Sequence, residues 1–156
     1  MAYTGTKSQA GNATVVNING SGTVSSPTWT QIGEIGDFTQ SGTQNKSEDA
    51  TNLQSVAEEF LPTILTPGKF AGMMNRISGD AGQGYVRTSF NAVPPTLMGY
   101  QVVLKKNSSQ TVSGDTYLFT AMVEEFNDLG SIKPTGIIKT AFAFKISGAI
   151  GFTPGS

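Results

Sequence analysis

The chain reads as a mainly β protein: two packed antiparallel sheets, sandwich- or barrel-like, with one short flanking α-helix and a long inter-strand loop. Three observations predict this. From Ile138 the even positions Ile138, Thr140, Phe142, Phe144 and Ile146 are mostly large and apolar, while Lys139, Ala141, Ala143, Lys145 and Ser147 are small or cationic. That period of two is the pattern of a half-buried strand. Nineteen glycines, with many Ser, Thr and Asn, cut the chain into short runs, as turn-rich β proteins require. A helical signature follows Asp80 and ends at Pro94-Pro95.

At 156 residues the chain is most simply one domain, and the elements follow in order. Residues 1–14 are small and polar and read as an N-terminal arm. Val15-Val16-Asn17-Ile18 is a short strand, stopped by the turn residues Asn19-Gly20-Ser21-Gly22. Thr28 to Ile35 reads as a second strand. Residues 38–67 lack a core pattern, and loops beyond about a dozen residues are uncommon unless functional. This segment is therefore expected to act between molecules, as an assembly loop.

Lys69 to Ile77 reads as a strand with Met73 and Met74 on opposite faces. Asp80 followed by Gln83 has the form of an N-cap with its capping-box partner, predicting a helix over 81–91 that offers Tyr85, Val86 and Phe90 to the sheet. In the strand from Leu97 to Lys106, Met98, Tyr100, Val102 and Leu104 share a face. From Tyr117 to Phe126 both faces are apolar enough to be partly covered. The long last strand is expected to bulge at Gly148.

Composition narrows function by exclusion. The chain has neither cysteine nor histidine, which removes disulfides, thiol nucleophiles and the commonest general base and metal ligand. No metal or other cofactor is expected. Ten basic residues against eleven acidic ones give no cationic footprint for nucleic acid. Apolar residues make up 37%, low for a self-sufficient globule, so neighbouring subunits are expected to supply part of the burial. No run approaches the ~18 apolar residues of a membrane helix. The polar start, Met1 to Lys7, has no signal-peptide core, and the chain is expected to be used without export by that route.

The remaining chemistry is thin. Glu58-Glu59 and Glu124-Glu125 are adjacent pairs whose members point to opposite faces of an extended chain, so neither forms a two-carboxylate site alone. Gly79-Asp80-Ala81-Gly82-Gln83-Gly84 lacks the spacing and the cationic partner of a phosphate loop, and an acid sits at its cap. Lys105-Lys106 is too short a basic step for nucleic-acid recognition. No catalytic residue is assigned.

The order of features resembles the tail tube (major tail) proteins of long-tailed bacteriophages. The resemblance rests on Asp49-Ala50-Thr51 with Ser55, Pro67-Gly68-Lys69-Phe70, Asp80-Ala81-Gly82-Gln83, the run Gly114 to Val123, and Lys145-Ile146-Ser147-Gly148-Ala149-Ile150. It spans Trp29 to Phe152. It implies packed sheets with a flanking helix, six copies to a ring, and stacked rings through which the genome passes without specific binding. It also implies a virion-tail location after assembly in the host cytoplasm. Beyond copies of itself, the implied partners are the tape measure, tail terminator and tail tip proteins.

On that reading the 38–67 loop supplies the assembly residues Asp49, Thr51, Ser55, Glu58, Glu59 and Phe60. Its acids would pair with basic residues of a neighbouring copy, with Lys7, Lys69, Arg76 and Arg87 as candidates. A tube protein of a contractile injection system shares the fold and is the alternative. A sugar- or surface-binding β-sandwich is a further one, but it would need a cluster of exposed aromatics, and Trp29 with Tyr3 offers little.

Overall fold

The computed structural model describes residue 11 and residues 13–156. Most of the N-terminal arm, including Lys7, lies outside the described residues. Nine strands and one helix follow: β1 (Val15–Asn19), β2 (Trp29–Gln31), β3 (Ile35–Ser41), β4 (Gln44–Asp49), β5 (Phe60–Thr66), β6 (Lys69–Asn75), α1 (Ala81–Asn91), β7 (Met98–Val103), β8 (Thr116–Phe126) and β9 (Lys139–Thr153). The mainly β class and the helix at 81–91 are as expected. The sheets are unequal: seven antiparallel strands in the order β2-β1-β7-β8-β9-β6-β3, and a separate two-stranded sheet of β4 and β5.

Two sequence expectations need correction. The stretch 38–67 is not a loop: β3 continues to Ser41, and β4 and β5 form a hairpin that leaves only residues 50–59 as its turn. The wholly polar β4 and the proline within β5 hide the hairpin from any test of alternation. The run Thr28 to Ile35 is also not one strand. It breaks at residues 32–34, where Glu34 takes φ 49°, and its two halves lie on opposite edges of the large sheet.

That break dictates the shape of the sheet. Six interstrand spacings of about 4.8 Å would hold the edges of a flat sheet about 29 Å apart, yet the link from Gln31 to Ile35 spans at most about 14 Å. The sheet must roll until its edges meet. Accordingly Val16 of β1 and Phe38 of β3, far apart in strand order, line the same apolar void. Rolling also lets a run of rings cross the interior. Phe38 meets Phe70 at 5.7 Å, Phe70 stacks on Phe119 at 4.8 Å, and Tyr100 lies between Phe119 at 5.6 Å and Phe144 at 4.5 Å.

The strand faces follow the sequence pattern. Thr140, Phe142, Phe144 and Ile146 of β9 are buried, as are Met98, Tyr100 and Val102 of β7 and Phe119, Ala121 and Val123 of β8. Gly148 takes φ 82°, and the register slips beside it, where Leu118 pairs Gly151 but Thr120 pairs Ser147. This is the expected bulge. A second bulge places Glu124 between the pairs Val123–Phe144 and Glu125–Ala143.

Helix α1 closes one end of the rolled sheet. Asp80 caps it, its carboxylate accepting from the Gln83 amide at 2.8 Å. Gln83 does not return the bond as a capping box would. Its buried side chain accepts from the Ile77 amide at 3.1 Å and donates to the Gly33 and Asn75 carbonyls at 2.9 and 2.8 Å. It thereby pins the edge-to-edge link to the end of β6. Gly82 lets the helix approach that link, since a Cβ there would run into the Gln31 carbonyl oxygen. Val86 enters the core, Phe90 rests 6.3 Å from Phe126, and Tyr85 stays partly exposed.

Candidate assembly interface

The β4–β5 hairpin leaves the body through a narrow stem. The Thr43 hydroxyl donates to the Pro67 carbonyl at 2.9 Å, and Gly42 and Gly68 lie against each other with φ 74° and 82°. Glycine suits both positions, since a side chain at either would strain the backbone. Beyond the stem, Asp49 pairs Phe60, Glu48 pairs Leu61, and Ser47 pairs Pro62, before a bulge sets Thr63 and Ile64 against Lys46 alone.

The hairpin's apolar residues face water. Phe60, Leu61, Ile64 and Leu65 are 58, 60, 74 and 48% exposed, and Leu53 and Val56 at the turn are fully exposed. Covering each of the four strand residues would be worth about 1 kcal/mol or more. A monomer leaves that free energy unused. Large apolar side chains left in water on both faces of the hairpin make it a candidate interaction surface.

The sequence-predicted residues Asp49, Thr51, Ser55, Glu58, Glu59 and Phe60 all belong to this hairpin, and several have local tasks. The Asp49 carboxylate accepts from the Thr51 amide at 2.9 Å, and hydrogen bonding to Thr51 holds its pKa below the ordinary aspartate value. The Thr51 hydroxyl accepts from the Glu59 amide at 3.0 Å, and the Ser55 hydroxyl accepts from the Asn52 amide at 3.1 Å. Asp49, Thr51 and Ser55 therefore shape the turn. Glu58, Glu59 and Phe60 are exposed beside it.

The proposed basic partners fall in different places. Arg76 and Arg87 are engaged within the chain, both on Asp128, at 3.2 and 2.8 Å. Hydrogen bonding, from Arg87 first, holds the Asp128 carboxyl below its usual range, and the same bond raises the Arg87 guanidinium. Lys69 is exposed at the hairpin's foot, directly opposite Lys145 on β9. Two like charges in register gain from an anionic neighbour.

Sequence reasoning missed a second apolar surface. The segment between β8 and β9 exposes Leu129, Ile132 and Ile137 at 70, 64 and 64%. Beside it an open groove is lined by Met73, Asn127, Leu129, Ser131, Lys139 and Ala141. Scattered aliphatics within a turn-rich segment carry no period, so nothing in the sequence marked them. Among the described residues no group of His, Cys, Asp and Glu could hold a metal ion.

No protein-family model matches the chain, and no curated protein matches it in sequence. Solved structures do match in shape. The SPP1 tail tube protein superposes with a TM-score of 0.66 at 12% identity, covering 96% of this chain and 80% of that one. The chain has the fold of a tail tube protein. A chain of the sheath–tube complex of PVC, an extracellular contractile injection system, gives 0.65 at 9% identity, covering 90% of this chain and 88% of its own. A chain of the six-fold symmetrised anti-feeding prophage baseplate gives 0.64 at 8% identity, covering 99% and 98%. These solved structures are components of tubes, sheath–tube complexes and baseplates, not enzymes. Among the described residues, the hairpin and the β8–β9 segment are two of the surfaces that expose large apolar side chains.

Proposed function

We propose that this chain is the building block of a hollow phage tail tube, polymerising as stacked rings through which the viral DNA is delivered. The observation that carries the reading is the projecting hairpin with Phe60, Leu61, Ile64 and Leu65 in water, on a tail-tube fold. Six copies to a ring is the arrangement adopted, in keeping with the six-fold symmetry of the anti-feeding prophage baseplate. The assembly location is the virion tail, after assembly in the host cytoplasm. Tape measure, terminator and tip proteins would meet the tube along its lumen and at its ends. A chain with net charge −1 suits a conduit, because a strongly cationic lining would retain phosphates.

The test is electron microscopy of the purified protein at high concentration, where hollow tubes are expected. A protein that stays monomeric at every salt and concentration, and fails to join tails in a complementation assay, would overturn the reading. The second reading is the tube of a contractile injection system, favoured by the likeness to the PVC and anti-feeding prophage chains. Rings that remain single and stable without stacking would shift the assignment that way.

A further inference from the structure

We propose that the rolled sheet has a built-in opening point, a seam where β3 faces β1 and β2, held shut by a latch in which Asp80 and Gln83 grip Gly33. The proposal concerns the single chain and stands apart from the tube reading.

The seam lacks the ladder that joins every other pair of neighbouring strands. Among the described residues the ladders run from β2 through β1, β7, β8, β9 and β6 to β3, and none returns from β3 to β1 or β2. Nor does any backbone hydrogen bond outside the ladders join those strands. Side-chain packing does not make up the difference. Val16 on one side and Ile35 and Phe38 on the other line an apolar void. Atoms facing a void forgo the dispersion contacts that close packing supplies. Ile35 and Phe38 are half-buried, the other five residues of β3 are exposed, and β2 has no fully buried residue. Strands with so few buried contacts belong to the low-stability end of a fold.

Polar closure is concentrated at one residue. Gly33 is the middle of the 32–34 link, and both of its backbone groups go to the start of α1. Its amide donates to the Asp80 carboxylate at 3.3 Å, and its carbonyl accepts from the Gln83 side chain at 2.9 Å. Gln83 also holds the Asn75 carbonyl and the Ile77 amide, and the Asn75 side chain donates to the Glu34 carboxylate at 3.0 Å. One buried side chain thus ties the link to the helix and to the end of β6. Its release leaves three backbone groups without that partner. The seam then parts and exposes Val16, Ile35 and Phe38, while the β7–β8–β9 ladders stay intact.

The chain has no cysteine, so one introduced thiol reports opening at its own position. Val16 lies at the seam and Val123 in β8, and both are buried. Labelling by an aromatic disulfide reagent in native buffer is expected to be about tenfold or more faster in Val16→Cys than in Val123→Cys. Adding Gln83→Ala should speed labelling of Val16→Cys about tenfold or more again, because buried backbone groups lose their partner. Gly33→Ala, whose Cβ would crowd the Asp80 carboxylate, loosens the latch without cutting into the core and should act in the same direction even if Gln83→Ala fails to fold. Ile146→Val, on the β8–β9 ladder, should speed labelling of Val123→Cys and leave Val16→Cys unchanged. Equal labelling of the two sites, or acceleration of Val16→Cys by Ile146→Val, would mean that Val16 is reached only by global unfolding and would overturn the seam. Labelling of Val16→Cys that neither Gln83→Ala nor Gly33→Ala accelerates would overturn the latch.

Discussion

The rolled seven-stranded sheet and the β4–β5 hairpin are built from the same backbone ladder, yet they stand at opposite ends of self-sufficiency. In the sheet, β9 places Thr140, Phe142, Phe144 and Ile146 inward and its lysines outward, and the core residues reach near-complete burial. In the hairpin, every residue from Gln44 to Asp49 and from Phe60 to Leu65 is exposed, although four of them are large and apolar. Hydrogen bonding alone therefore does not distinguish structure that stabilises a monomer from structure that awaits a partner. Burial does, and it divides this chain into a body that folds on itself and an arm whose apolar side chains stay in water.

This contrast can be broken most forcefully in the body. Gly72 on β6 lies against β3, and a Cβ there would run into the Asp37 carbonyl oxygen. Gly72→Val is expected to cost more than about 3 kcal/mol, or to abolish folding, as read by urea denaturation. Phe144→Ala, removing a ring stacked on Tyr100, should cost about 3–5 kcal/mol in the same measurement. A Phe144→Ala variant that unfolds like the parent would show that the aromatic core does not carry the stability assigned to it, and a Gly72→Val variant that does so would show that β3 and β6 accommodate a side chain between them.

Asn19 gives a smaller effect. Its buried side chain accepts from the Ser21 and Thr28 amides at 3.1 and 2.9 Å and donates to the Thr23 carbonyl, holding the turn between β1 and β2 in place. Asn19→Ala should cost about 1–3 kcal/mol, by stranding buried polar groups. A change under half that range would show the turn to be held by other means.

Smaller still is the Arg76–Asp128–Arg87 cluster, about a third exposed and therefore screened. The folded-state pKa of Asp128 lies below its unfolded value of about 3.9. Its contribution is present above that value and fades as the pH falls through the folded pKa. A loss of no more than about 1 kcal/mol is expected on acidification, and it should be missing in Asp128→Asn. Equal acid sensitivity in both proteins would assign the loss to other carboxylates.

The smallest effect on stability, and the largest contrast in consequence, is expected for the hairpin. Phe60→Ala should change monomer stability by less than about 0.5 kcal/mol, because the ring is more than half exposed. It should nevertheless reduce tube length or yield in electron micrographs. A variant that loses stability without losing assembly would reverse the division between body and arm.

The legible parts of the sequence were those whose signal is local. Asp80 and Pro94-Pro95 bracketed the helix, and period-two alternation marked β7, β8 and β9, down to the bulge at Gly148. The illegible parts had signals that local rules misread. Gln83 has the spacing of a capping box, but three backbone groups from other segments claim its amide. The β4–β5 hairpin has no alternation because neither of its faces is buried by its own chain. The hairpin was marked only as a segment without a core pattern, whereas Leu129, Ile132 and Ile137 were not marked at all.

The sequence by itself determined that this protein is mainly β, has one capped helix and lacks the side chains of thiol or imidazole chemistry. Periodicity, capping and composition act within a few residues, and they survive without knowledge of the fold. Only the tertiary structure decided that residues 32–34 join opposite edges of one sheet, that the sheet therefore rolls, and that the supposed loop is a hairpin standing in water. Those outcomes depend on which strands become neighbours. Such pairing is set by the whole core closing at once, not by any one segment.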